Sequence, residues 1–120
     1  MSAEIDFDKQ DQMERIQQSL VPGETLFAVY DMRGGGTGFM GLTNKRLVIQ
    51  DEGRIQKRRS LVSIPYSHIA MVSASDEGGG LLRTATSTMT VTTSGGQTFE
   101  LDFRSGDKAQ RAYTTIINHF

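Results

Sequence analysis

Six basic side chains crowd one short stretch of this 120-residue chain. Lys45, Arg46, Arg54, Lys57, Arg58 and Arg59 stand between residues 45 and 59 against Asp51 and Glu52 alone, a local net charge of +4. Guanidinium groups meet phosphate or carboxylate with a forked geometry, so such a run could hold an anion. Residues 1–24 carry the opposite balance: Glu4, Asp6, Asp8, Asp11, Glu14 and Glu24 against Lys9 and Arg15, net −4. Three uses follow for the basic run. It could be a solvated strand pair whose charges keep an edge from aggregating. It could pair with the acidic segment, within a chain or across a subunit boundary. It could bind an anionic ligand. The solvated face is the plainest of the three.

The remaining reactive side chains do not form a set. His68 and His119 have no metal-ligand partner at short spacing. Ser67-His68 is not a dyad, because neighbouring strand residues face opposite ways. Asp76-Glu77 reads as a paired acid in a loop with no acid–base partner. Gly34-Gly35-Gly36-Thr37-Gly38 has neither the Lys-Ser/Thr ending of a phosphate loop nor a strand-to-helix setting, and reads as a hairpin connection. Threonines 84, 86, 88, 90 and 92 fall on one strand face, most simply a solvated edge. The expectation is a protein without catalytic residues, cofactor or metal.

Composition narrows the field further. The chain has no Cys, which excludes disulfides and thiolate metal sites. A net charge of −1 exerts no global pull on nucleic acid. No apolar run approaches the roughly 20 residues of a membrane span, and the acidic N-terminus is unlike a signal peptide. The expected location is therefore cytoplasmic. At 13.2 kDa, residues 1–120 fit a single domain.

Periodicity supplies the elements. Residues 6–20 read as a helix capped by Asp6 or Asp8, with Met13, Ile16 and Leu20 as a thin apolar stripe ended by Pro22-Gly23. From about residue 24 to 104 the period is two. Thr25–Met32 is apolar on both faces, with Leu26, Ala28 and Tyr30 on one and Phe27 and Val29 on the other, so it should be covered on both. Gly38–Leu42 returns beside it. Leu47–Ile49 is a short buried strand ending in a turn at Asp51-Glu52-Gly53. Ile55–Ile64 and Ile69–Ser75 follow, then a flexible loop over 76–80. Met89 and Val91 alternate with threonines, Ser94-Gly95-Gly96 turns the chain, and Phe99, Leu101 and Phe103 point inward. Residues 107–119 return to a helical period with Asp107 as cap and an apolar stripe of Ala109, Ala112, Tyr113, Ile116, Ile117 and Phe120. Helix, seven strands, helix implies a mainly β, α+β fold with a strongly bent sheet or barrel.

Two segments resemble a known family: Leu42-Thr43-Asn44-Lys45-Arg46-Leu47-Val48-Ile49 and Ser63-Ile64-Pro65-Tyr66-Ser67-His68-Ile69, with Pro22-Gly23-Glu24 upstream. In this order and spacing they resemble the short, single-domain bacterial pleckstrin-homology-like (PH-like) domains. The resemblance spans roughly residues 10–119. It implies a seven-stranded, PH-like bent β-barrel capped by the C-terminal helix, and self-association into ring-shaped homo-oligomers. Physically, both motifs read as scaffold. Thr43–Arg46 makes a tight turn in which the Thr hydroxyl bonds a nearby amide and Lys45 and Arg46 stay exposed. Pro65 ends one strand and re-aims the next, while Tyr66 buries its ring and keeps its hydroxyl wet.

The functional expectation is a non-catalytic, homo-oligomerising interaction module. The alternative is a binding module for anionic lipid headgroups or an extended peptide, through the basic segment or a sheet edge.

Overall fold

The computed structural model describes residues 4–33, 38–52, 59–77 and 86–119. The chain divides into two compact units, Met1–Ser63 and Ile64–Phe120. Elements run β1 (Asp6–Phe7), α1 (Gln10–Gln17), β2 (Leu26–Asp31), β3 (Phe39–Thr43), β4 (Arg46–Glu52), β5 (Arg59–Pro65), a 3-10 turn (Tyr66–His68), β6 (Ile69–Glu77), β7 (Thr86–Thr93), β8 (Thr98–Phe103) and α2 (Lys108–Ile117). The fold is mostly β with two helices, as the periodicity implies.

In the first unit the strands form one sheet in the order β1-β2-β3-β4-β5. Strands β2, β3 and β4 are antiparallel neighbours, whereas β1 lies parallel to β2 through Asp6↔Ala28 and Phe7↔Val29. The expected helix over 6–20 is thus shorter at its start. Asp6 and Asp8 are not caps: Lys9 holds the cap position, without a side-chain bond to the helix. The two carboxylates serve β2 instead, accepting the Tyr30 hydroxyl at 2.7 Å and the Asp31 N–H at 2.9 Å.

Helix α1 lays its apolar stripe on this unit's own sheet. Ile16 is fully buried with Leu26, Val29, Phe39 and Val48, and Ile5, Met13 and Leu20 pack around them. Gly41 makes the seat possible, because a Cβ there would stand 2.6 Å from Ile16 Cδ1 and 3.2 Å from its Cγ2. The opposite sheet face carries Ala28, Tyr30, Met40, Leu42, Leu47 and Ile49, all buried, so β2 is apolar and buried on both sides as expected. One detail differs. The ladder passes from Leu26↔Thr43 to Ala28↔Leu42, leaving Phe27 as an extra residue. This bulge turns Leu26 to the Val29 side, away from Ala28 and Tyr30. Strand β4 also runs further than expected, and Asp51 is buried within it rather than placed in a turn. The glycines at 34–36 and residues 53–58 lie outside the described residues.

The second unit is an antiparallel sheet in the order β6-β7-β8 with α2 packed on it. Phe99, Leu101 and Phe103 are buried and alternate with outward residues as the sequence indicates. The hairpin at Ser94–Gly96 is closed by Gly96 N–H donating to Thr93 O at 2.9 Å. Strand β6 reaches Glu77, so Asp76 and Glu77 pair in register with Ser87 and Thr86 rather than forming a loop. Strand β7 is central, so its threonine face is not an edge. Thr88 donates to Asp102 Oδ1 at 2.8 Å, and Thr84 lies outside the described residues. On α2, Ala109, Ala112 and Ile116 are buried while Ile117 is exposed, a narrower stripe than the sequence suggests. Phe120 lies outside the described residues.

Candidate functional site

Of the six basic candidates, Arg46 is the one whose guanidinium the geometry defines in full, and it is not exposed. Its Nε donates to Glu24 Oε2 at 2.7 Å and Nη2 to Glu24 Oε1 at 3.0 Å, a forked pair. Nη2 also donates to Ser19 O at 2.9 Å, and Nη1 to Ser63 Oγ at 2.7 Å. The expectation of an exposed Arg46 is corrected by a partner 22 residues upstream in the acidic segment. Here the acidic and basic segments do meet, within one chain.

The rest of the turn completes a clamp. Thr43 Oγ1 donates to Glu24 Oε2 at 2.6 Å and accepts the Lys45 and Arg46 N–H groups, each at 3.0 Å. Glu24 Oε1 accepts the Val21 N–H at 3.0 Å. Asn44 grips the same loop, its Oδ1 accepting the Thr25 N–H at 2.8 Å and its Nδ2 donating to Gly23 O at 3.3 Å. Gly23 has φ +83°, a conformation only glycine adopts without strain. The Glu24 side chain has no exposed surface. Hydrogen bonding from Arg46, against the opposing effect of burial, holds its carboxyl down at about 2 and raises the Arg46 value. Pro22-Gly23-Glu24 and Thr43–Arg46, far apart in the chain, are therefore one structural device that fixes the exit of α1 against the β3–β4 turn.

The other basic candidates are placed differently. Lys45 is exposed on the turn. Arg59 opens β5, its side chain lying outside the description, and Arg54, Lys57 and Arg58 lie outside the described residues. The acidic segment has further internal duties. Asp31 is buried, accepts Gln12 Nε2 at 2.8 Å and lies 3.6 Å from Lys9 Nζ. Glu4, Asp11 and Glu14 remain on the surface.

In the second unit the histidines act as structure. The His119 ring stacks on Tyr66 with centroids 5.0 Å apart and 19° between planes, and its Nδ1 lies 2.8 Å from Thr115 O. His68 is exposed; its carbonyl accepts the Ser94 N–H at 2.8 Å. Pro65 closes β5 and the 3-10 turn leads into β6. Asp107 stands at the start of α2 without a capping bond. It accepts the Ser105 hydroxyl and pairs with Arg111 at 2.9 Å, and these contacts lower its carboxyl. The cap comes from Ser87 on β7, whose buried Oγ accepts the Ala109 N–H at 3.0 Å and donates to Ser105 O at 2.6 Å. Nothing in the threonine-rich run marks Ser87 for that role. A recess of about 120 Å³ has, among the described residues, a lining of Ala74, Ser75, Gly106 and Gln110, none of them titratable. Among the described residues no group of three His, Asp or Glu side chains could hold a metal.

Sheet order, α2 against the second sheet and the clamp joining residues 22–24 to 43–46 define a PH-like module. The family model for the bacterial PH domain matches residues 1–120, and the chain belongs to that family. Among solved structures it is similar to a PH-domain-containing protein from Exiguobacterium sibiricum, with a TM-score of 0.61 at 18% identity. The match covers 94% of this chain and 62% of that protein, so the likeness is one of fold over part of a longer chain. Comparison with curated proteins gives no match. PH domains are interaction modules, generally without catalysis. No helix among the described residues is long and apolar enough to cross a membrane.

Proposed function

We propose that this bacterial PH domain works by binding, without chemistry of its own, and that its first partner is further copies of itself. The observation that carries this reading is its distribution of apolar surface. The apolar stripe of α1 and both faces of β2 are buried inside one chain. Exposure falls instead on Phe7, Val21 and Leu61 in the first unit and Met71, at 61%, and Ile117 in the second. Large apolar side chains left on the surface are available to a partner. The surface acids of the N-terminal segment and the basic residues around 54–59 supply opposite charge for the same contact. The family resemblance, with its ring-forming members, favours the same reading.

Reversing the basic charge tests it. Lys57→Glu combined with Arg59→Glu is expected to lower the assembled mass seen by light scattering, and added salt should do the same to the unmodified chain. A mass unmoved by both would remove charge pairing as the cause of assembly.

A further inference from the structure

Strand β1 covers the edge of β2 with two residues against six. It runs parallel to β2, the less stable pairing per residue. Side chains complete its hold. Asp8 N–H donates to Val29 O at 3.1 Å, and where the chain turns away into α1 the Asp8 carboxylate takes over from the backbone, accepting the Asp31 N–H at 2.9 Å. Asp6 Oδ2 accepts the Tyr30 hydroxyl at 2.7 Å. Ile5 packs at the rim of the Ile16 cluster, while Phe7 stays 40% exposed. Val29 and Asp31 direct backbone groups to β1, whereas Ala28 and Tyr30 direct theirs to Leu42 and Met40 of β3. Alternate residues of one strand are thus held by β1 and by the sheet.

We propose that β1 is a displaceable strap, and that the β2 edge beneath it is a docking site for an extended acidic segment of a partner protein. The strap shows what the edge accepts. Its contacts are those of a strand added to a sheet edge: a backbone bond to Val29, carboxylates on either side of an aromatic residue, and an apolar residue ahead of them. The Tyr30 hydroxyl and the Asp31 N–H both donate, so an occupant brings acceptors two residues apart, and carboxylates are the strong ones. Being part of the same chain, the strap competes at an effective concentration of about millimolar. It keeps the edge closed until a partner offers more contacts than two residues make. This surface is independent of the self-association proposed above.

Amide hydrogen exchange of the full-length chain, followed residue by residue by NMR, tests both the strap and its occupant. In the unmodified chain Asp8, Val29 and Asp31 are expected to exchange faster than Ala28 and Tyr30, because opening of the strap frees the first set alone. Asp8→Ala should speed Val29 and Asp31 about tenfold, the loss of one hydrogen bond to a charged acceptor, and leave Ala28 and Tyr30 unmoved. A peptide copying residues 4–9, added to that variant at about millimolar concentration, should slow Val29 and Asp31 again. The same peptide with both Asp replaced by Lys should not. Val29 and Asp31 exchanging at the rate of Ala28 and Tyr30 in the unmodified chain would overturn the strap. Exchange that the acidic peptide does not slow, or that both peptides slow alike, would overturn the acidic occupant. Slowing that instead follows the concentration of the chain, with a doubled mass, would overturn it too, by giving the edge to the strap of a second copy.

Discussion

Glu24 and Arg46 carry most of what a single residue can do in this domain. A carboxylate with no exposed surface, bonded by Arg46, Thr43 and the Val21 N–H, is stabilised in its charged form. Its folded value, about 2 against an ordinary 4.5, lies below the unfolded one. The stability it contributes is therefore complete above about pH 4.5 and is lost as pH falls toward 2. Converted at the usual rate, the shift corresponds to about 3 kcal/mol. Glu24→Gln is expected to cost about that much in urea unfolding at pH 7, with the gap to the unmodified chain closing through this acid window. A variant equally stable at pH 7 would mean the clamp does not hold the loop. Arg46 shows why charge is a poor guide at this scale. Its sequence neighbours mark it as a surface cation, and nothing local points to a partner 22 residues away. Ser87 is equally illegible, a small hydroxyl in a threonine run that bonds an N–H in the first turn of α2.

At the scale of elements, the readable parts are those where one period governs several residues. Residues 98–103 alternate cleanly, and β8 follows them. Legibility fails where one structural event breaks the period. The Phe27 bulge moves Leu26 to the other face, and a two-residue parallel strand has no period at all, so β1 is indistinguishable in sequence from the start of the helix. Asp6 and Asp8 look like helix caps because that is the commonest use of acids before a helix, yet they bond β2. The seat of α1 gives the element-scale prediction. Gly41→Ala places a methyl against Ile16 and should destabilise the first unit by about 1–3 kcal/mol, as overpacking typically does. Adding Ile16→Val, which removes Cδ1, should recover part of that loss in thermal melts. A neutral Gly41→Ala would show that the helix does not seat there.

For the molecule as a whole, the order of elements and the two motif segments are enough to place the chain among bacterial PH domains, which the family match over residues 1–120 bears out. Assembly is less legible, because sequence shows apolar stripes without showing which are consumed internally. Met13, Ile16 and Leu20 lie on their own sheet, and β2 is buried on both faces, so neither is available to a neighbour. Among the described residues the large apolar side chains left exposed are Phe7, Val21 and Leu61 in the first unit and Met71 and Ile117 in the second. The most direct test is the solution mass of the unmodified chain by light scattering on a sizing column, at low and at high salt. The proposed self-association through oppositely charged segments predicts one discrete species at a multiple of 13.2 kDa that loses mass as salt rises. A single 13.2 kDa species at both salt concentrations would contradict it.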